Sequence, residues 1–222
     1  RKLFTSASTS GDVYASCLIN VSAAQATGDY FYTLSSGTTG YIGRVFAKSS
    51  GSGFVLGIQK GSGTTPAPVP TYSTTVLNYN TTYLLVLKVK RNSGSATDDE
   101  ASIWVDPVLG GVETAPLISN NQGNDQASID SVVLRQGNAS NAPTVKLGNI
   151  LVGTTWASVT PLGNSPVIAP SGGYSPFSTF VGVASQSQGL TVGSSNLTAS
   201  ISASAPIGFE ISIDNSSFGP SA

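Results

Sequence analysis

Two carboxylates one residue apart, Asp98 and Glu100 in DDEASIWVDP, are the plainest acid–base pair in the sequence. On a strand, that spacing puts both on one face about 6.6 Å apart. Retaining glycosidases need ~5–5.5 Å between their two carboxyls. Trp104 follows on the same face as a sugar platform. A solvated hairpin turn after NSGSAT is the plainer setting for Asp98 and Asp99. Asp98, Asp99 and Glu100 are also hard oxygen donors of the kind calcium takes. For glycan binding without cleavage, Trp104, Tyr72 and Tyr79 offer rings, and Asn120, Asn121 and Gln122 offer amides.

Other chemistries are excluded by residue type. The chain has no His and one Cys, so His-based triads, His-ligated zinc and thiolate metal sites are closed to it. No Gly-rich stretch follows a strand and opens a helix, so phosphate-cradle motifs lack their context. The net charge of −1 gives no electrostatic footprint for nucleic acid, and no apolar run reaches the ~18 residues of a membrane span. Cys17 lies in GDVYASCLINVS, where Val13, Ala15, Cys17, Ile19 and Val21 alternate onto one face, and it reads as a small core hydrophobe.

The elements that must carry these residues are strands. Charged residues make up only 9% of the chain, against 39% hydrophobic and a surplus of Gly, Ser and Thr, the composition of β-sandwiches with uncharged surfaces. Period-2 alternation predicts strands over Val13–Ser22, Asp29–Leu34, Gly43–Lys48, Phe54–Lys60, Thr81–Arg91, Ala101–Asp106, Ala127–Arg135 and Val145–Val152, and no helix. The prolines of GSGTTPAPVP (61–70) make it a loop or an edge. In TTYLLVLKVKR, Tyr83, Leu85, Leu87 and Val89 share the core face. Paired with ASIWVD, this strand is expected at the middle of the first sandwich. A Pro/Gly/Asn connector then divides the chain.

The runs YFYTLSS, YIGRVFAKSSGSGFVLGIQKG, NTTYLLVLKVKRN, ASIWVDP and NILVGTTWASVTP resemble a bacterial extracellular jelly-roll module of the concanavalin A-like (laminin G-like) fold. FSTFVGVASQSQGLTVGSSNLTASISASAPIGFEISIDNSSF is similar to an immunoglobulin-like repeat of large bacterial surface proteins. The expected organisation is all-β: a jelly-roll domain over 1–161, a linker over 162–166 and a partial immunoglobulin-like domain over 167–222. The resemblance implies a structural calcium ion at an Asp on a late strand, here Asp130. Glucanases of the fold carry Glu-x-Asp-x-x-Glu on one strand, a string this chain lacks.

The expected function is therefore a non-catalytic module of a large secreted or cell-surface protein, for adhesion or carbohydrate recognition. Its partners would be glycans or another surface protein, with neighbouring domains or chains at open strand edges. A structural spacer or filament subunit completed by strand addition is the alternative, and a divergent polysaccharide-active enzyme ranks third. The absence of Met and the Arg1 start suggest a piece of a longer polypeptide. Trp156 is expected at the seam between the domains. The five sequons, at Asn20, Asn80, Asn138, Asn196 and Asn215, read as accidents of an Asn- and Ser-rich composition.

Overall fold

The structure is a computed structural model that describes residues 1–162, 167–195, 197 and 199–221. Most of the expected 162–166 linker and the Asn196 sequon lie outside the described residues. The chain divides into two compact units, Arg1–Pro161 and Leu162–Ala222.

The first unit is all-β, as the alternation required, apart from one short helix. Its strands are β1 (Lys2–Ser8), β2 (Val13–Ala23), β3 (Asp29–Ser36), β4 (Gly40–Ser50), β5 (Gly53–Gln59), β6 (Thr71–Tyr72), β7 (Thr82–Lys90), β8 (Glu100–Val105), β9 (Ile118–Asn120), β10 (Ile129–Leu134) and β11 (Thr144–Gly153), followed by helix α1 (Trp156–Val159). They form two antiparallel sheets, ordered β1-β10-β3-β4-β5-β6 and β11-β2-β7-β8-β9. β7 and β8 sit mid-sheet, with Leu85↔Val105 and Val86↔Trp104 in register.

The sheets pack face to face over one core. Cys17, Ile19 and Val21 of β2 and Leu85, Leu87 and Val89 of β7 meet Tyr32 and Leu34 of β3, Ile42, Val45 and Ala47 of β4, and Leu56 and Ile58 of β5. Side chains that alternate inward on both sheets exclude water from this layer, the main favourable term in such a sandwich. A smaller apolar cluster lies on the outer face of the five-stranded sheet, where Tyr14, Val86 and Trp104 are capped by Trp156 and Val159 of α1. Trp156 thus packs within the first unit, with its ring centroid 5.1 Å from that of Trp104.

Strict alternation fails at two places in the β3–β4 pair, and both matter. Ile42 and Val45 both face the core although two residues lie between them, so β4 absorbs an extra residue at Gly43, whose φ of +66° suits glycine. In β3 the register shifts between Tyr30 and Tyr32, which leaves Tyr30 opposite Phe46 and Tyr32 opposite Val45. These bulges set which side chains emerge on the sheet's outer surface.

In the second unit, β12 (Val167–Ser171) pairs antiparallel with β13 (Thr191–Ser195). Bridges at Ser204↔Ser221 and Ile211↔Gly219 add short antiparallel contacts. None of its described residues is buried, and Phe180, Ile207 and Ile213 stand almost fully exposed.

Candidate functional site

The residues singled out in the sequence are spread over the first unit rather than gathered. Trp104 is 4% exposed, and its indole N–H donates to the Thr114 carbonyl at 3.0 Å. Tyr79 stacks on Phe54 at the margin of the main core. Asn120 is buried with its amide fully bonded, and Asn121 is exposed. Asp98 and Asp99 do converge with a third acid, Asp125, carboxylate oxygens of all three lying within 4.8 Å of one another. Glu100 stands apart and accepts from Ser102 Oγ.

At both calcium candidates the protein supplies a cation of its own. The fully buried ammonium of Lys60 lies 2.6 Å from Asp125 and donates to the Thr97 carbonyl. The Arg1 guanidinium lies 2.9 Å from Asp130, which also accepts from Gly37 N and Ser131 Oγ. At Asp130 internal donors thus take up the oxygens that an ion would need, and these residues do not fit calcium; in the Asp98 cluster Oδ1 of Asp98 is buried without a protein donor.

One residue of that set, Tyr72, lies on a surface the sequence reading did not foresee. The outer face of β3, β4 and β6 carries a band of four rings. Centroid separations run 6.2 Å from Tyr41 to Tyr30, 5.6 Å from Tyr30 to Phe46 and 6.4 Å from Phe46 to Tyr72. Three cations are interleaved with them. Arg135, just past β10, donates from Nε to Tyr30 Oη at 2.8 Å and from Nη1 to Tyr41 Oη at 2.7 Å. Arg44 lies over the Tyr30 ring at 5.6 Å, and Lys48 over the Tyr72 ring at 4.2 Å.

Local sequence explains each placement. With Gly43 absorbing the bulge, Arg44, Phe46 and Lys48 alternate outward while Val45 and Ala47 turn into the core. Opposite Phe46 on β5 stands Gly57, and the Tyr72 ring covers its bare backbone.

The electrostatics of the band are those of an anion receiver. Arg44, Lys48 and Arg135 form no ion pair among the described residues, although the chain as a whole is slightly acidic. Burial pulls the Arg44 pKa down, and its Nε is a buried donor without a protein acceptor. Burial, then the charge of Asp29, raises the Tyr72 phenol above its ordinary value and keeps it protonated. Asp29 is the carboxylate that borders the band, and it already accepts from the backbone N–H groups of Tyr30 and Asn138.

A second titratable cluster lies on the opposite face of the sandwich. Lys88 bridges Asp12 at 3.1 Å and Glu113 at 2.9 Å, and Tyr14 donates to Glu113 at 2.7 Å. Burial lowers the Lys88 pKa, but the bonds to Tyr14, Glu113 and Asp12 outweigh it and the net shift is upward. The one cation there is already matched by carboxylates. The band differs because its cations are not.

No family model matches the chain, and no curated protein does. Among solved structures, it is similar to an endo-β-1,4-glucuronan lyase from the fungus Trichoderma reesei, with 13% identity, 70% of this chain and 73% of that chain covered, and a TM-score of 0.48. It is also similar to a mutant of alginate lyase Aly36B in complex with alginate tetrasaccharide, with 14% identity, 68% and 71% covered, and a TM-score of 0.45. The likeness is one of β-sandwich architecture.

These neighbours are named as polysaccharide lyases, and the expectation of a non-catalytic adhesion or recognition module, with a spacer or filament role as its alternative, is withdrawn. The expectation that the chain is no enzyme is corrected with it. The lack of His and of a paired-carboxylate motif does not exclude an enzyme, because proton transfer by phenols beside guanidinium groups needs neither.

Proposed function

We propose that the first unit is a glycan-active enzyme that takes carboxylate-bearing polysaccharides along the outer face of its six-stranded sheet. It would cleave them by β-elimination. The observation that carries this reading is the band itself: three cations without acidic partners, set among four aromatic rings on one sheet face. Cations paired with carboxylates of the chain, as at Lys88, would have no charge to offer a ligand. Of the rings beside them, Tyr41 and Tyr72 are partly exposed and supply apolar surface on which sugars stack, while Tyr30 and Phe46 are largely buried.

Elimination suits these groups better than hydrolysis does. A cation that neutralises a uronate carboxylate acidifies the C–H bond beside it. A phenolate can then remove that proton, the C–H electron pair becomes a C=C bond to the next carbon, and that carbon's glycosidic C–O bond breaks with protonation of the leaving oxygen. Tyr30 and Tyr41, both bonded to the Arg135 guanidinium, are the phenol groups placed to take that proton and to give one to the leaving oxygen. Arg44 and Lys48, on the same face of β4, are placed to meet carboxylates, and Tyr72 serves an adjoining sugar. Hydrolysis by the carboxylate route would need a second acid beside Asp29. A polymer substrate of this kind suits an extracellular or cell-surface setting.

The test is incubation of the full chain with alginate and with glucuronan, followed by ultraviolet absorbance for the conjugated double bond that elimination leaves. A rise in absorbance that is lost in Arg135→Ala and in Tyr30→Phe supports the reading. New reducing ends without that absorbance would reject elimination, and no cleavage of either polymer would reject the enzyme.

A further inference from the structure

Tyr72 belongs to a strand of only two residues, preceded by the ten-residue proline-rich loop 61–70 that contributes no ladder of its own. Its pairing with β5 is limited to Gly57↔Tyr72 and Ile58↔Thr71, with one further backbone bond from Ser73 N to the Leu56 carbonyl. So short an edge strand is a weak base for a side chain that must hold its place. Something else fixes it.

That support comes from the other sheet. Asn120, the last residue of β9, is 5% exposed and makes four hydrogen bonds with its side chain. Its Oδ1 accepts from Lys60 N at 2.9 Å and Gln122 N at 3.1 Å. Its Nδ2 donates to the Val69 carbonyl at 3.2 Å and to Thr71 Oγ1 at 3.0 Å. One buried amide therefore joins the end of β5 and the edge of the opposite sheet to the residue next to Tyr72. Two further amides act on the same segment: Gln122 Oε1 accepts from Val69 N, and Gln59 Nε2 donates to the Pro68 carbonyl.

We propose that Asn120 is a positioning residue for Tyr72, holding β6 so that the phenol and ring stay on the band where the adjoining sugar is bound. This rests on the reading of that face as the site. Asn120 itself touches no ligand, since its four bonds use its whole donor and acceptor capacity.

The test uses Asn120→Ala and Thr71→Val. The second variant breaks the tie at an exposed position and leaves the buried amide in place, so folding is kept. With tyrosines carrying carbon-13 at the hydroxyl-bearing ring carbon, the Tyr72 resonance should shift in both variants. Its titration midpoint should fall toward the ordinary tyrosine value, while Tyr30 and Tyr41 stay as they were. With alginate or glucuronan as substrate, KM should rise about fivefold, the equivalent of one lost hydrogen bond, with kcat little changed. A Tyr72 signal that does not move, or that moves only together with Tyr30 and Tyr41, overturns the positioning role. Wild-type protein that cleaves neither polymer overturns the face reading instead, and the tyrosine signals still decide whether Asn120 holds Tyr72.

Discussion

Substituting Gly57 with Ala should destabilise the first unit only while Tyr72 is present. A Cβ built at Gly57 would lie 2.7 Å from both Cδ1 and Cε1 of Tyr72, well inside contact distance. The ring has little room to retreat, because Lys48 lies over it and Phe46 stands at its edge, while its hydroxyl lies 2.9 Å from where a Cβ at Gly28 would be. Overpacking of this kind costs about 1–3 kcal/mol. Displacing the ring would also forfeit its cation–π contact, worth ~0.5–1 kcal/mol. Against this, Gly→Ala restricts the unfolded chain and stabilises by ~0.4–1 kcal/mol. The net expectation is a loss of roughly 0.5–3.5 kcal/mol in the wild-type background. In a Tyr72→Ala background, the same change should be neutral or slightly stabilising. Urea unfolding followed by tryptophan fluorescence is the assay, because both tryptophans, Trp104 and Trp156, lie in the first unit. An equal cost of Gly57→Ala in both backgrounds would show that the ring does not lie on β5 as described.

Three further outcomes are expected. Burial pushes the Cys17 thiol up to about 12, so native protein at pH 8 should resist alkylation and react fully only in denaturant; rapid labelling of the folded chain would contradict this. Trp104→Ala should cost about 3–5 kcal/mol in urea unfolding. The milder Trp104→Phe should leave polyuronate turnover unchanged, because Trp104 packs on the outer face of the other sheet. Burial acts to raise the Asp130 pKa, but the bonds from Gly37 N, Ser131 Oγ and Arg1 prevail and depress it. Its contribution to stability is therefore present above the ordinary carboxylate range and is lost as pH falls through the depressed folded value. With the pair partly exposed, that contribution should be about 0.2–1 kcal/mol, and Asp130→Asn should flatten the acid limb of a stability–pH curve by that amount.

The sandwich was legible because its signal is local and periodic. Leu85, Leu87 and Val89 reach the core on the face that their alternation specified, and Trp104 points away from Ile103 as the two-residue period requires. The band was not legible because strict alternation does not describe how it is built. Two bulges put Tyr30 opposite Phe46 and turn Arg44 outward, and Arg135 arrives from a strand about a hundred residues downstream. The one cue available was Gly43 inside YIGRVFAK, a glycine that interrupts an otherwise alternating strand and marks a bulge. The carboxylates carry a familiar spacing, yet in the structure Asp125 and Asp130 are paired with Lys60 and Arg1 of the same chain. Asn120 was read as a loop amide for sugars; its bonds are spent inside the protein, and no sequence pattern announces that.

The account turns on which surface meets the polysaccharide, and an NMR titration of the full chain with an alginate oligosaccharide tests this directly. Resonances of Tyr30, Tyr41, Phe46 and Tyr72 should shift together and saturably, and the response should weaken with added salt as expected where Arg44, Lys48 and Arg135 carry the attraction. The indole signals of Trp104 and Trp156 should stay in place. Shifts centred on the indoles and Tyr14, with the band silent, would contradict the central claim.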